Sequence, residues 1–517
     1  MEKERFNRLI EEKLGNINLI VVSNREPTVH EFSGKKIKTT RSVGGLTIAL
    51  EPIMQNLHGT WIAYGSGSAD KAAADDSGKI KLPEGEELYT LKRIFLTKDD
   101  INGYYYGYSN SILWPLCHIV YRQPVFDPHY FEVYERVNKK FADSIIEEIN
   151  NTGPSKDAGI NNAEQSKYTE NIKINNIKQS KNTVVWLQDY HLALCAKYIK
   201  EYDNAIKTSI FWHIPWPNPE VFTICPEKKE LLDGLLSNDL IGFQIIYYCQ
   251  NFLRTCEWEL EARINWADYT VTYKGHVTKV MPFQISVDAK NINDIAMSKG
   301  VNDIAENIKN NDIIEPSYEY LALSVDRLDY TKGIIEKFKA IDRFLEKYSK
   351  FQGKFVFLQL GVISRTLIEA YKRFNDQVLN LAEDINWKYK TGDWYPIVQF
   401  YKQLDFQTYI TYYKICDVMI VSPLQDGMNL VAKEYVMSNV DYKGMLVLSR
   451  FAGSAKELKD AVLVNPFSVE CFADAINEAL IMNIREKERR TVKMQNIIME
   501  NNIYDWAYNF LTALCMI

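Results

Sequence analysis

With 517 residues, the chain exceeds the size at which one hydrophobic core stops growing, so two or more domains are expected. Its 46% apolar and 25% charged residues are those of an ordinary soluble globular protein. The 61 basic and 67 acidic residues leave a net charge of −6, which argues against a nucleic-acid binder but allows a few arginines to hold a phosphorylated ligand.

The opening MEKERFNRLIEEKLG has neither an apolar core nor a small-residue cleavage site, so no signal peptide is expected. No apolar run approaches the ~20 residues that span a bilayer, and the eight cysteines are scattered without a C-x-x-C pair. These features predict a cytoplasmic protein with reduced thiols and neither membrane contact nor a metal site. Short β-rich apolar runs occur at 19–22, 183–187, 209–213, 240–243, 321–325, 355–360, 418–421 and 446–448. Between many of them lie segments of helical period. In 334–348, Ile334, Ile335, Phe338, Ile341, Leu345 and Tyr348 share one face with charges opposite. Buried strands alternating with amphipathic helices predict an α/β fold whose parallel sheets are covered on both faces, and two such sheets fit the length. The expected division is 1–288 and 289–500, set just ahead of the polar stretch 291–312, with 501–517 as a closing helix. Residues 152–182 lack periodicity and read as a solvated surface insertion.

In open α/β sheets, ligands bind in the loops beyond the carboxyl ends of strands, and the unusual residues cluster there. SNREPT at 23–28 follows the first strand and offers Arg25 as a phosphate ligand or as a plain surface residue. Gly44 and Gly45, in RSVGGL, permit close backbone approach to a ligand, and an ordinary turn explains them equally well. YYYGYSNSILWP at 104–115 carries Tyr105 and Trp114 beside Ser and Asn, which suits a sugar or an aromatic core cluster. WLQDYH at 186–191 and FWHIPWPNPE at 211–220 put Asp189 and His213 at two strand ends, where they can bind hydroxyls or handle protons. In SVDRLDYTKGI, Arg327 and Lys332 flank a loop that opens a helix at Gly333, a favourable diphosphate cradle. In VSPLQDGMNLVAKEY, Asp426 and Gly427 form a turn and the amides of Met428, Asn429, Leu430 and Val431 face outward. Glu434 can accept from ribose hydroxyls there, and Asp426 is also a candidate helix cap. Neither G-x-G-x-x-G after the first strand nor a Walker A loop is present, which disfavours a dehydrogenase or a P-loop enzyme.

Taken in order, VVSNR, GGL, YSNSILWP, WLQDYH, HIPWPNPE, DLIGFQ, RLDYTKG, SPLQDGMNLVAKEY and LVLSRFAGSAKEL resemble the trehalose-6-phosphate synthase family of retaining glucosyltransferases over residues 21–467. The resemblance implies a GT-B architecture of two Rossmann-like domains, an active site in the interdomain cleft, and a last helix near 503–514 that returns to the first domain. It implies glucose transfer from a nucleoside diphosphate glucose, typically UDP-glucose, to glucose 6-phosphate, without a metal or other cofactor. By motif position, Arg327 and Lys332 would hold the donor diphosphate and Glu434 the ribose. Asp426, the amides after it and His213 would hold donor glucose, with Gly45 letting a loop close over the diphosphate. Arg25, Tyr105 and Arg365 would bind the acceptor phosphate, and Asp189 and Trp114 the acceptor sugar. Arg327, Lys332, Asp189 and His213 form the expected catalytic set. No carboxylate is clearly placed as a nucleophile, so a front-face internal return is implied, in contrast to the paired carboxylates of retaining glycosidases.

Four departures bear on the acceptor. MPFQISVD at 281–288 differs from the family's proline-glycine-isoleucine pattern, GVISR at 361–365 lacks the proline before Ser-Arg, Arg450 stands where Gln or Glu is common, and 152–182 is atypical. Glucosylglycerol-phosphate synthase, using glycerol 3-phosphate, is the competing enzyme reading. A catalytically silent sugar-phosphate sensor is the competing non-enzyme, disfavoured because Arg327, Lys332, Asp426 and Glu434 are all kept. The donor base and the oligomeric state, a homo-oligomer included, stay open, and a separate phosphatase is expected to act on the product.

Overall fold

The computed structural model describes residues 3–15, 17–42, 45–120, 122–151, 183–310 and 316–517. The proposed insertion at 152–182 and Gly44 lie outside them. The chain forms two units, Glu2–Gln284 with Ala507–Ile517, and Ile285–Trp506.

The N-terminal unit begins its sheet with β1 (Asn18–Arg25), followed by a hairpin of β2 (Thr28–Ser33) and β3 (Lys36–Arg41). The sheet continues with β4 (Thr60–Tyr64), β5 (Lys79–Leu82), β6 (Tyr89–Ile94), β7 (Thr183–Gln188), β8 (Lys207–Trp212), β9 (Leu240–Phe243), β10 (Arg263–Asn265), β11 (Thr270–Tyr273) and β12 (His276–Pro282). Its spatial order is β10-β11-β12-β9-β8-β7-β1-β4-β6-β5. The strands from β12 to β6 in that order pair in parallel, and antiparallel strands close both edges. Strands buried on both faces need apolar side chains in both directions, which is why β7 is a continuous buried run, TVVWLQ.

The C-terminal unit contains β13 (Tyr320–Arg327), β14 (Phe355–Val362), β15 (Ile397–Phe400), β16 (Val418–Val421), β17 (Met445–Ser449) and β18 (Val462–Val464). They are all parallel in the order β15-β14-β13-β16-β17-β18, the 3-2-1-4-5-6 arrangement of a doubly wound sheet. Every apolar run named from the sequence falls on a strand, with only His213 of the run 209–213 lying beyond β8, and the periodic segment forms helix Ile334–Lys347, burying Ile334, Phe338, Ile341 and Leu345. The expected division of charge on that helix fails at Lys337. Its side chain is wholly buried because Asp326 Oδ2 (2.8 Å) and Ser324 Oγ take its protons under β13.

The units divide between Gln284 and Ile285, four residues ahead of the division expected after Asp288. The segment 285–288 is tied into the C-terminal unit. Ile285 O accepts from Lys433 Nζ (2.9 Å), Val287 O from Ile503 N (3.1 Å) and Asp288 Oδ2 from Tyr504 OH (3.0 Å). The polar stretch after it is helical, as Ala289–Met297 and Lys299–Asn310, with Asp288 capping the first helix through Asn291 N. Helix Ile503–Met516 starts in the C-terminal unit, and residues from Ala507 onward belong to the N-terminal one.

Candidate active site

Each sheet has its topological switch point where the strand order reverses, and the expected residues gather at both. In the C-terminal sheet the switch lies between β13 and β16. β13 pairs with β14 along all eight of its residues but with β16 at only Ala322 and Leu323, so the carboxyl ends of β13 and β16 run on unpaired with each other. Their loops are then tied at a fixed distance. Leu424 N donates to Thr331 O (2.7 Å), and Gly333 holds φ +62° where a Cβ would lie 2.2 Å from Ser422 O. Glycine is required there on both counts.

This geometry brings Lys332 to Asp426, Nζ to Oδ2 at 2.6 Å, with Asn429 Nδ2 donating to the same oxygen (3.1 Å). The cap of helix Leu430–Ser438 is Asn429, whose side chain accepts from Ala432 N (3.3 Å), so the capping role considered for Asp426 falls to its neighbour. Asn429 adopts φ +74°, a costly conformation for a side-chain-bearing residue. A second loop stitches this turn in place: Gly453 N donates to Asp426 O (3.1 Å) and Ser454 N to Met428 O (2.9 Å). One helical turn on, Glu434 is buried and accepts from Tyr413 OH (3.2 Å). Burial lifts its carboxyl to about 7.

Arg327 and Arg365 meet at Asp329, a carboxylate with no exposed surface. Its Oδ2 lies 3.2 Å from Arg365 Nη1 and 3.7 Å from Arg327 Nη2, and accepts from Tyr371 OH at 3.0 Å. Thr331 N and Oγ1 both donate to Oδ1 at 3.0 Å. Burial pushes this carboxyl up, but Arg365 and Arg327 outweigh it and hold it at about 2. Arg365 is buried, sits at φ +55° and lies over the Tyr371 ring (5.4 Å), so its guanidinium is anchored within this unit.

In the N-terminal sheet the switch lies between β1 and β7. The register of β1 shifts between Ser23 and Arg25, and Ser23 Oγ bonds Arg25 O (2.6 Å) while accepting from Trp61 Nε1 (2.8 Å). The Arg25 side chain reaches Tyr105 OH at 3.5 Å, and Tyr105 stacks on His191 (centroids 5.9 Å, planes 11° apart). Residues Ile101–Leu113 form a π-helix, in which Asn110 Nδ2 reaches Tyr105 O and Ser111 Oγ reaches Tyr106 O, five residues back (both 2.7 Å). The wide turn sorts the rings of the aromatic run by burial. Tyr104 and Tyr108 are core residues beside Tyr134, and Trp114 is buried against His118 and Tyr190. Tyr105 is only half-buried and faces Arg25. Asp189 occupies φ +72° and accepts from His213 N (3.0 Å). His213 follows β8, and burial depresses its imidazole to about 3. Gly45 opens helix Gly45–Leu57.

Sequence reasoning missed Asp329, Tyr371 and Tyr413, as well as Gln188 and Gln244, which flank His213. Asp329 lies inside a motif already singled out, where an acid between two cations is a readable signal. The tyrosines come from helices far along the chain and carry no local signal.

The profile of Glycosyltransferase family 20 matches residues 17–155 and 164–515. Over 514 residues the chain is 33% identical to the trehalose-6-phosphate synthase of Mycobacterium leprae (strain TN), covering 97% of this chain and 95% of that one. Among solved structures, one from E. coli described as trehalose-6-phosphate bound with UDP-2-fluoro glucose superposes with a TM-score of 0.79 at 29% identity, over 96% of this chain and 99% of that chain. An α,α-trehalose-phosphate synthase (UDP-forming) from Burkholderia xenovorans in complex with glucose-6-phosphate gives the same TM-score of 0.79, 29% identity and 96% and 99% coverage.

Proposed function

The chain belongs to glycosyltransferase family 20, and on that premise we propose that it transfers glucose from UDP-glucose to glucose 6-phosphate, releasing UDP and forming α,α-trehalose 6-phosphate. The observation that carries this reading is the C-terminal switch point, where Lys332 pairs with Asp426 ahead of helix Leu430–Ser438 and Arg327 lies beside Asp329. Two cations beside a helix N-terminus suit a diphosphate, and a carboxylate one turn further, Glu434, suits a ribose. Asp426 with the Met428 to Val431 amides suits the glucose hydroxyls. In the N-terminal unit, Arg25 with Tyr105 suits the acceptor phosphate, and Asp189 with Trp114 suits the acceptor sugar.

The glycosidic bond to the diphosphate breaks as the acceptor hydroxyl attacks from the same face. The departing phosphate oxygen takes the hydroxyl proton, and Arg327 and Lys332 stabilise the charge that builds on it. Positioning and electrostatics supply the catalysis. The eight cysteines, unpaired throughout, support a reducing cytoplasmic setting, and a separate phosphatase would act on the product.

The test is a transfer assay in EDTA with UDP-glucose, offering glucose 6-phosphate and glycerol 3-phosphate separately. UDP release with a phosphorylated disaccharide from glucose 6-phosphate alone is expected. Turnover with glycerol 3-phosphate instead overturns the acceptor, and silence with both overturns the reaction.

A further inference from the structure

Three adjacent strand ends of the N-terminal sheet carry Gln188 on β7, His213 after β8 and Gln244 after β9. His213 Nε2 donates to Gln188 Oε1 at 2.8 Å, and Gln244 Nε2 donates to His213 Nδ1 at 3.5 Å. Both glutamines are buried, at 0% and 1% exposure, so neither amide swings away into water. An amide oxygen only accepts and an amide nitrogen only donates, so this pair of contacts fits one form of the ring, neutral with its proton on Nε2.

We infer that Gln188 and Gln244 are positioning residues that hold His213 as the neutral Nε2–H tautomer, so that it lends a fixed uncharged surface to sugar binding and moves no proton during transfer. The clause about transfer rests on the proposed glucosyltransferase reading, whereas the tautomer does not. The surroundings agree with it. On the β7 side the ionisable neighbour is Asp189, whose Oδ1 takes the backbone N–H of His213. On the β9 side the ring meets the Gln244 amide. On its own strand it lies against the Phe211 ring (4.6 Å). Burial drives the imidazole down to about 3, because the two amides that replace water bring no compensating charge. A carboxylate in place of either amide would stabilise the imidazolium, so the amide at these positions decides the protonation state. The assignment also matches a reaction whose proton passes directly from acceptor to leaving phosphate.

The test uses the full chain labelled with ¹⁵N-histidine and followed by long-range ¹H–¹⁵N correlation from pH 5 to 8. The chain has seven histidines, and the ring lost in His213→Asn identifies this one. If that variant fails to fold, the ring shifted by Gln188→Glu identifies it. The expected spectrum shows a neutral Nε2-protonated ring whose shifts do not move across the range. In Gln188→Glu the same ring begins to titrate, and kcat falls about tenfold per pH unit below the new ionisation, a limb that Gln188→Ala lacks. A wild-type ring that titrates between pH 5 and 8, or that carries its proton on Nδ1, overturns the inference. So does a wild-type kcat that follows the ionisation of this ring. Failure of glucosyl transfer with the expected spectrum would overturn the proposed function and support the tautomer.

Discussion

At the scale of single residues, the proposed diphosphate site brings together two cations of different kinds. Arg327 is held by a buried acid and offers a planar fork, whereas Lys332 is a point charge paired with Asp426. Arg327→Ala and Lys332→Ala should each lower kcat by roughly 10²- to 10³-fold. An unchanged far-ultraviolet circular dichroism spectrum would show that the fold persists, and wild-type turnover in either variant would remove that residue from the reaction. Glu434 gives the site a pH dependence whose sign is determined. Its folded value is raised from 4.5 to about 7, so the stability it contributes is complete below about 4.5 and is lost as pH rises through about 7. Between pH 5 and 8 the urea midpoint of wild type should therefore fall further than that of Glu434→Gln. On the proposed ribose contact, the same ionisation supplies the acceptor for its hydroxyls, so the donor KM of wild type should drop from pH 6 to pH 8 and stay flat in the variant. Arg327, Lys332, Asp426 and Glu434 are nameable as candidates from the sequence because each stands in a motif that follows a strand. The Asp329 hub was only half legible, since Tyr371 joins it from a helix whose local pattern says nothing of a partner.

At the scale of elements, the loop after β16 is shaped by the segment after β17 as much as by its own residues. Gly453 packs so closely that a Cβ there would lie 1.9 Å from Gly427 O. Gly453→Ala must displace the Asp426 turn, and a misplacement of about 1 Å can cost about 10²-fold in rate. Transfer should fall by that order with the thermal midpoint lowered by only a few degrees; wild-type activity would show that the turn tolerates the shift. The aromatic segment 104–115 illustrates why element type was less readable than element position. Its π-helix depends on hydrogen bonds spanning five residues, including side-chain amide and hydroxyl contacts from Asn110 and Ser111. No periodicity in so short a run distinguishes it from an ordinary helix. Within the polar stretch 291–312, the described residues to 310 are helical apart from Ser298. Ile292, Ala296 and Val301 bury one narrow face while the many Asn and Asp residues lie outside it.

At the scale of the whole molecule, both units use a doubly wound order, and in each the candidate residues gather where that order reverses. The closing helix contributes to the N-terminal unit through Phe510, which is fully buried. Its ring stacks on Trp186 (4.7 Å, 15°) and meets Phe283 and Phe211 at 5.0 and 5.7 Å. Phe510→Ala should cost about 3–5 kcal/mol, the usual loss for a buried phenylalanine. Urea unfolding would read this as a lower midpoint at unchanged slope; a change under 1 kcal/mol would show the helix to be dispensable to that core. The sequence by itself determined the class of fold, the strands and the family, because buried strands and the motif-bearing loops at their ends are encoded within a few consecutive residues. Only the tertiary structure decided which acid anchors Arg365, why Gly453 must be glycine, and what holds His213 neutral. Those answers depend on groups that meet across strand ends and distant helices, and their spacing along the chain carries no trace of the distances at which they meet.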